Sequence, residues 1–234
     1  MKHPQMKIFP CYLVGLLVMA LSAWLVSLLY SQAAFLAQLH WIAQMLPPLV
    51  LMIAALIVLP AAKGRTGGNL LSYFLNASAS GWAIGVVLGV ASIIPPPEVL
   101  VAMVPAALLG LALVFFSRSR SKAWRIATVV TFSLLGLALI GVGIYVWCVH
   151  QPLMGCAFVF SGLYFLPLPL GYVKAASKPE KMYRYLAYTG FGAFILIFLV
   201  VLFILSEGEI LDGLDFDFGG GESAGAKKKN KPVK

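Results

Sequence analysis

Two long apolar runs flank one basic segment in residues 99–149, which read VLVAMVPAALLGLALVFF, then SRSRSKAWR, then IATVVTFSLLGLALIGVGIYVWCV. Neither run contains Asp, Glu, Lys or Arg, whereas the nine residues between them carry four positive charges. A helix crosses a hydrocarbon core of about 30 Å with about 20 apolar residues. The stretch is therefore typical of two membrane helices joined by a short basic connection.

The rest of the chain repeats this pattern. Of the 234 residues, 61% are hydrophobic and 11% are charged, a composition that excludes an ordinary soluble domain. The sequence predicts an all-α membrane protein, with a bundle of seven transmembrane helices in residues 1–206 and a disordered tail in residues 207–234. The seven predicted spans are Phe9–Tyr30, Trp41–Ala62, Leu71–Ile93, Val99–Phe116, Ile126–Val149, Pro152–Val173 and Leu186–Leu205.

Positive charge falls in alternate connections between the spans. The basic connections and the N-terminal segment hold twelve Lys and Arg residues, whereas residues 31–40, 95–98 and 150–151 hold none. Cytoplasmic connections are enriched in Lys and Arg. We therefore predict seven crossings with the N-terminus inside and the C-terminus outside, in a multi-pass protein of a bacterial inner membrane.

The formal net charge of +9 follows the same topology. Its twelve inner basic residues lie where anionic headgroups attract them, and the other five are in the tail. The predicted partner of this charge is the lipid bilayer, and no nucleic acid is expected.

A stripe of small residues marks the third span. Ala77, Gly81, Gly85 and Gly89 are spaced by four, so they share one helical face over about 18 Å. Small residues let two helix backbones approach closely in a membrane. The stripe predicts a tight helix contact, either inside this bundle or with a membrane-protein partner.

Three titratable residues fall in the predicted outer connections, namely His40, Glu98 and His150. Imidazole and carboxylate groups can hold a cation or move a proton if they converge. Their sequence separation matches no ligand motif, and solvated side chains at the interface are the alternative. They are weak candidates for a binding site, and the sequence predicts no metal site and no cofactor.

The sequence also predicts structural roles for several uncharged residues in the spans. Asn76 and Gln44 lie within spans and are expected to bridge helices. Tyr172 lies at the inner end of its span, where an interfacial anchor is expected. Prolines at 47–48 and at 167 and 169 are expected to kink the second and sixth spans.

After the last span the composition changes abruptly. The segment Glu207–Phe218 alternates acids with the large apolar residues Leu211, Leu214, Phe216 and Phe218, and a Gly-rich and then Lys-rich stretch follows. Such a segment either folds on a partner or serves as a solvated linker. We interpret the four apolar residues as candidates for partner docking.

No P-loop, GxSxG, HExxH or paired-carboxylate motif occurs in the chain. Three functions remain open. The favoured one is a non-enzymatic accessory or assembly subunit of a larger membrane complex. The alternatives are a channel or carrier for a neutral or weakly polar solute, using the proline-kinked spans, and a membrane enzyme that acts on lipid at the outer face.

Overall fold

The structure is a computed structural model that describes residues 5–62, 64–91, 104–117, 121–149 and 151–206. These residues form helices and no strands. The helices are α1 (Gln5–Gln32), α2 (Trp41–Ala61), α3 (Thr66–Val90), α4 (Val104–Phe116), α5 (Lys122–Cys148), α6 (Pro152–Phe165), α7 (Leu168–Ser177) and α8 (Met182–Leu205), with short 3-10 turns at Ala34–Gln38 and Pro179–Lys181.

Six helical segments are long and apolar enough to cross a membrane, which confirms a helical, integral, multi-pass membrane protein. The predicted fourth span is represented by the shorter apolar helix α4, and its first five residues lie outside the described part of the chain. The count of seven crossings therefore stays a prediction. The predicted tail at 207–234 also lies outside the described residues.

Helix α3 lies at the centre of the bundle. In its most apolar window 72% of the residues are buried, against 22% in α2 and 17% in α5. α3 packs against α1, α2 and α8, and the contact between α1 and α3 is the most extensive one in the structure. Small residues are frequent on α3, so its neighbours approach closely on several sides.

Contacts between neighbouring helices show in which direction they run relative to one another. On α3, Gly81 packs against Met19 and Gly89 packs against Tyr30, so α1 and α3 run parallel. On α4, Ala106 contacts Tyr12 and Gly110 lies near both Tyr12 and Phe9, so α4 runs opposite to α1.

Helices α5 and α6 form an antiparallel pair, because Gly143 packs against Gly155 and Gly136 packs against Leu166. α6 in turn brings Tyr164 beside the early part of α1 and α3. Gly190, in the early part of α8, packs against Tyr73 of α3. The N-terminal ends of α1, α3, α5 and α8 therefore lie at one end of the bundle. We call it the basic end, because its described basic residues are Lys7, Arg65, Lys122, Arg125, Lys174, Lys178, Lys181 and Arg184.

The prolines act differently in the two spans where kinks are expected. α2 continues as a helix from Trp41 to Ala61 through Pro47 and Pro48. In the sixth span the helix is interrupted, since α6 ends at Phe165 and α7 begins at Leu168. The proline ring at 167 and the missing N–H at Pro169 account for this break.

Candidate functional site

The glycines of the third span lie against α1 of the same chain. A Cβ atom added at Gly85 would lie 2.7 Å from the Ala23 carbonyl oxygen and 2.7 Å from the Val26 Cβ atom. Gly81 and Gly89 lie even closer to Met19 and Tyr30, and Ala77 is fully buried. A partner chain at this face of α3 would have to displace α1.

Of the three outer titratable residues, only His40 lies within the described residues. Its side chain is exposed, and its Nδ1 atom accepts a hydrogen bond from the Ile42 amide at 3.4 Å. Its ring centroid lies 5.4 Å from that of Trp41. His40 therefore caps the N-terminus of α2, while Glu98 and His150 lie outside the described part of the chain.

A membrane enzyme that acts on lipid at the outer face would require His40, Glu98 and His150 to meet. Because two of them lie outside the described residues, this alternative stays a prediction. Within the described ranges no group of three His, Cys, Asp or Glu side chains is arranged to hold a metal ion. The three cysteines are free thiols, with Cys148 exposed and Cys156 buried.

The channel alternative depended on the two proline-containing spans. α2 packs on α3 and, less extensively, on α8, whereas the sixth span packs on α5 through α6 and on α8 through α7. None of these contacts identifies a solute path between the two spans, so the channel alternative stays a prediction.

A buried cluster of tyrosines lies among α1, α3, α6 and α7. The Tyr164 hydroxyl donates to the Tyr73 hydroxyl at 2.8 Å, and the rings of Tyr12 and Tyr164 stack with centroids 6.1 Å apart. The Tyr12 hydroxyl donates to the Ala106 carbonyl on α4 at 3.2 Å. Four spans are thereby joined by uncharged groups near the basic end.

Tyr172 belongs to this cluster, and its prediction as an interfacial anchor is wrong. It is 1% exposed, and it lies in the same buried core cluster as Tyr12, Tyr73 and Tyr164. A residue at a span end faces lipid only where no other helix covers it. The face of α7 that carries Tyr172 is turned toward the core. The available sequence signal was that the first, third and sixth spans each contain a tyrosine toward the inner end.

The amide side chains do not bridge helices as expected. Asn76 Nδ2 donates to the Ser72 carbonyl of its own helix at 3.0 Å. Gln44 Nε2 donates to the Leu39 carbonyl just before α2 at 2.6 Å. Ser72 instead joins α3 to α2, because its hydroxyl donates to the Ala55 carbonyl at 2.9 Å.

An apolar groove of about 310 Å³ separates α4 from α5. The two helices meet at the basic end, where Trp124 Nε1 donates to the Phe116 carbonyl at 3.0 Å. The small residues Ala112, Ala127 and Thr131 are among those that line the space between them. The α4–α5 groove was not predicted from the sequence, because α4 and α5 each appear there as a uniformly apolar run.

Comparison of the chain with protein-family models, with curated proteins and with solved structures finds no match.

Proposed function

We propose that this protein is a non-enzymatic accessory or assembly subunit of a larger membrane complex, and that the α4–α5 groove receives a transmembrane helix of the partner. The groove itself is the observation that carries the proposal. It is apolar, and three of its lining residues are small.

Association of two helices in a membrane depends on contact between them rather than on hydrophobicity. Lipid tails are as apolar as a helix surface, so helices associate in membranes through close packing and interhelical hydrogen bonds. Ala112 and Ala127 allow close backbone approach, and the Thr131 hydroxyl can bond across a helix pair. α5 presents most of its length to the outside, since only 17% of its apolar window is buried.

The topology is part of the proposal. We infer seven crossings of a bacterial inner membrane, with the N-terminus inside and the C-terminus outside. The alternating helix directions and the gathering of basic residues at one end support it. The acidic segment of the tail would then lie outside, where it supplies a second contact to the partner.

Filling the groove tests this function. Ala127→Trp places a large side chain in the groove, and Ala138→Trp places the same side chain on an exposed position of α5 outside it. We expect a membrane protein that co-purifies in mild detergent with the wild type and with the Ala138 variant to be lost from the Ala127 variant. A photo-crosslinking residue at 127, but not at 138, should join the same partner.

Two results would overturn the proposal. Equal recovery of every co-purifying protein from both variants would show that the groove does not bind a partner. A groove residue that crosslinks only to lipid would identify an acyl chain as its occupant.

A further inference from the structure

A second groove, of about 360 Å³, lies between α7 and α8 at the basic end. The break at Pro167 separates α7 from α6. Gly171 packs closely against Thr189 of α8, whereas Gly192 leaves space beside Pro167. Lys174 and Tyr188, both exposed, lie at its rim. We call it the α7–α8 groove.

The groove changes from polar to apolar along its length. Lys174 and Tyr185 lie seven residues from Pro167 and Gly192 respectively, a separation of about 10 Å along each helix. The far part is lined by Pro167, Gly192 and the exposed Leu170. A phospholipid has the same sequence of a charged headgroup and an acyl chain over a comparable depth.

The rim carries positive charge that no described acidic residue neutralises. Arg184 lies above the Tyr188 ring, with its guanidinium carbon 5.8 Å from the ring centroid. Glu180 is the only acidic residue in the described part of the chain, and no ion pair links it to Lys174 there. Basic pockets between membrane helices on the cytoplasmic side bind anionic headgroups.

We propose that the α7–α8 groove binds an anionic phospholipid of the leaflet at the basic end. Its phosphate oxygens accept charge-assisted hydrogen bonds from Lys174 and hydrogen bonds from the tyrosine hydroxyls at the rim. One acyl chain lies along Leu170, Pro167 and Gly192. This site is independent of the α4–α5 groove, so it does not depend on the proposed partner.

Titration of the purified full-length protein with lipid tests the proposal. Phosphatidylglycerol in detergent should raise the thermal unfolding temperature of the wild type, and phosphatidylcholine should raise it less. Lys174→Gln should raise the midpoint concentration of phosphatidylglycerol about fivefold, since a basic residue near anionic lipid contributes about 1 kcal/mol. Lys178→Gln removes an equal charge at the same end, outside the groove, and should leave the midpoint unchanged.

A second variant keeps every charge. Gly192→Leu should fill the apolar part of the groove and abolish the selective shift, because an added Cβ already lies 3.3 Å from the Pro167 Cβ atom. Equal responses to the two lipids, or equal midpoints for the two lysine variants, would overturn the proposal. A shift produced by inorganic phosphate alone would also overturn it in favour of a free-anion site.

Discussion

Glycine at position 85 sets the distance between α1 and α3. Its missing side chain leaves only 2.7 Å between an ideal Cβ position and the Ala23 carbonyl oxygen. At Gly141, on the exposed side of α5, an added Cβ meets nothing within 4 Å. Two glycines with similar sequence surroundings therefore have different structural roles.

Gly85→Ile should destabilise the bundle, because the new side chain must push α1 from α3. Overpacking of this kind costs about 1–3 kcal/mol. Thermal unfolding of the detergent-solubilised variant measures the effect. The control is Gly141→Ile, which should leave the unfolding temperature nearly unchanged. An equal loss in both variants would mean that helix propensity rather than packing decides the result.

The tyrosine cluster allows a second residue-scale prediction. Tyr73→Phe removes the acceptor of the Tyr164 hydroxyl and should lower stability by about 0.6–1.7 kcal/mol, the range for hydrogen bonds between membrane helices. Adding Tyr164→Phe should cost less than the sum of the single changes, because the two hydroxyls share one bond. Tyr145→Phe, at a residue that is 69% exposed, is the control. Strict additivity would show that the bond contributes nothing.

At the scale of elements, the burial of a helix does not follow its hydropathy. α2 and α5 are more apolar than α3, yet α3 is the buried one. In a membrane the surface of a bundle faces lipid, so the apolar helices can lie outside and a helix rich in Gly, Ala, Ser and Asn can lie at the centre. Hydropathy locates such helices but does not rank their burial.

The tail supplies a prediction about one element. A chain truncated after Ser206 should still insert and fold, but it should recover less of the partner than a chain truncated after Phe218. The reason is that Leu211, Leu214, Phe216 and Phe218 offer apolar surface for folding on a partner. Co-purification at matched expression measures the difference. Equal recovery from the two truncations would identify the acidic segment as a linker only.

At the scale of the whole molecule, the helices alternate in direction and the basic residues collect at one end. This agrees with the alternate distribution of Lys and Arg along the sequence. α1 is packed into the core against α3.

Accessibility labelling tests the topology of the whole chain. Single cysteines at Ser119 and Gln38, in a background without Cys11, Cys148 and Cys156, should react from opposite sides of the membrane. They should do so because, in the proposed topology, an odd number of crossings separates the two positions. Reaction of both from the same side would exclude the proposed topology.

The sequence by itself determined the class of the protein and the approximate position of its spans. Apolar length and the placement of Lys and Arg are local properties, and the bilayer acts on each segment separately. Only the tertiary structure decided that the glycines of α3 meet α1, that Tyr172 faces the core, and that two grooves open beside α4 and α7. Those features depend on which helix covers which face. In a membrane, apolar faces toward lipid and toward protein have the same composition, so the sequence pattern does not distinguish them.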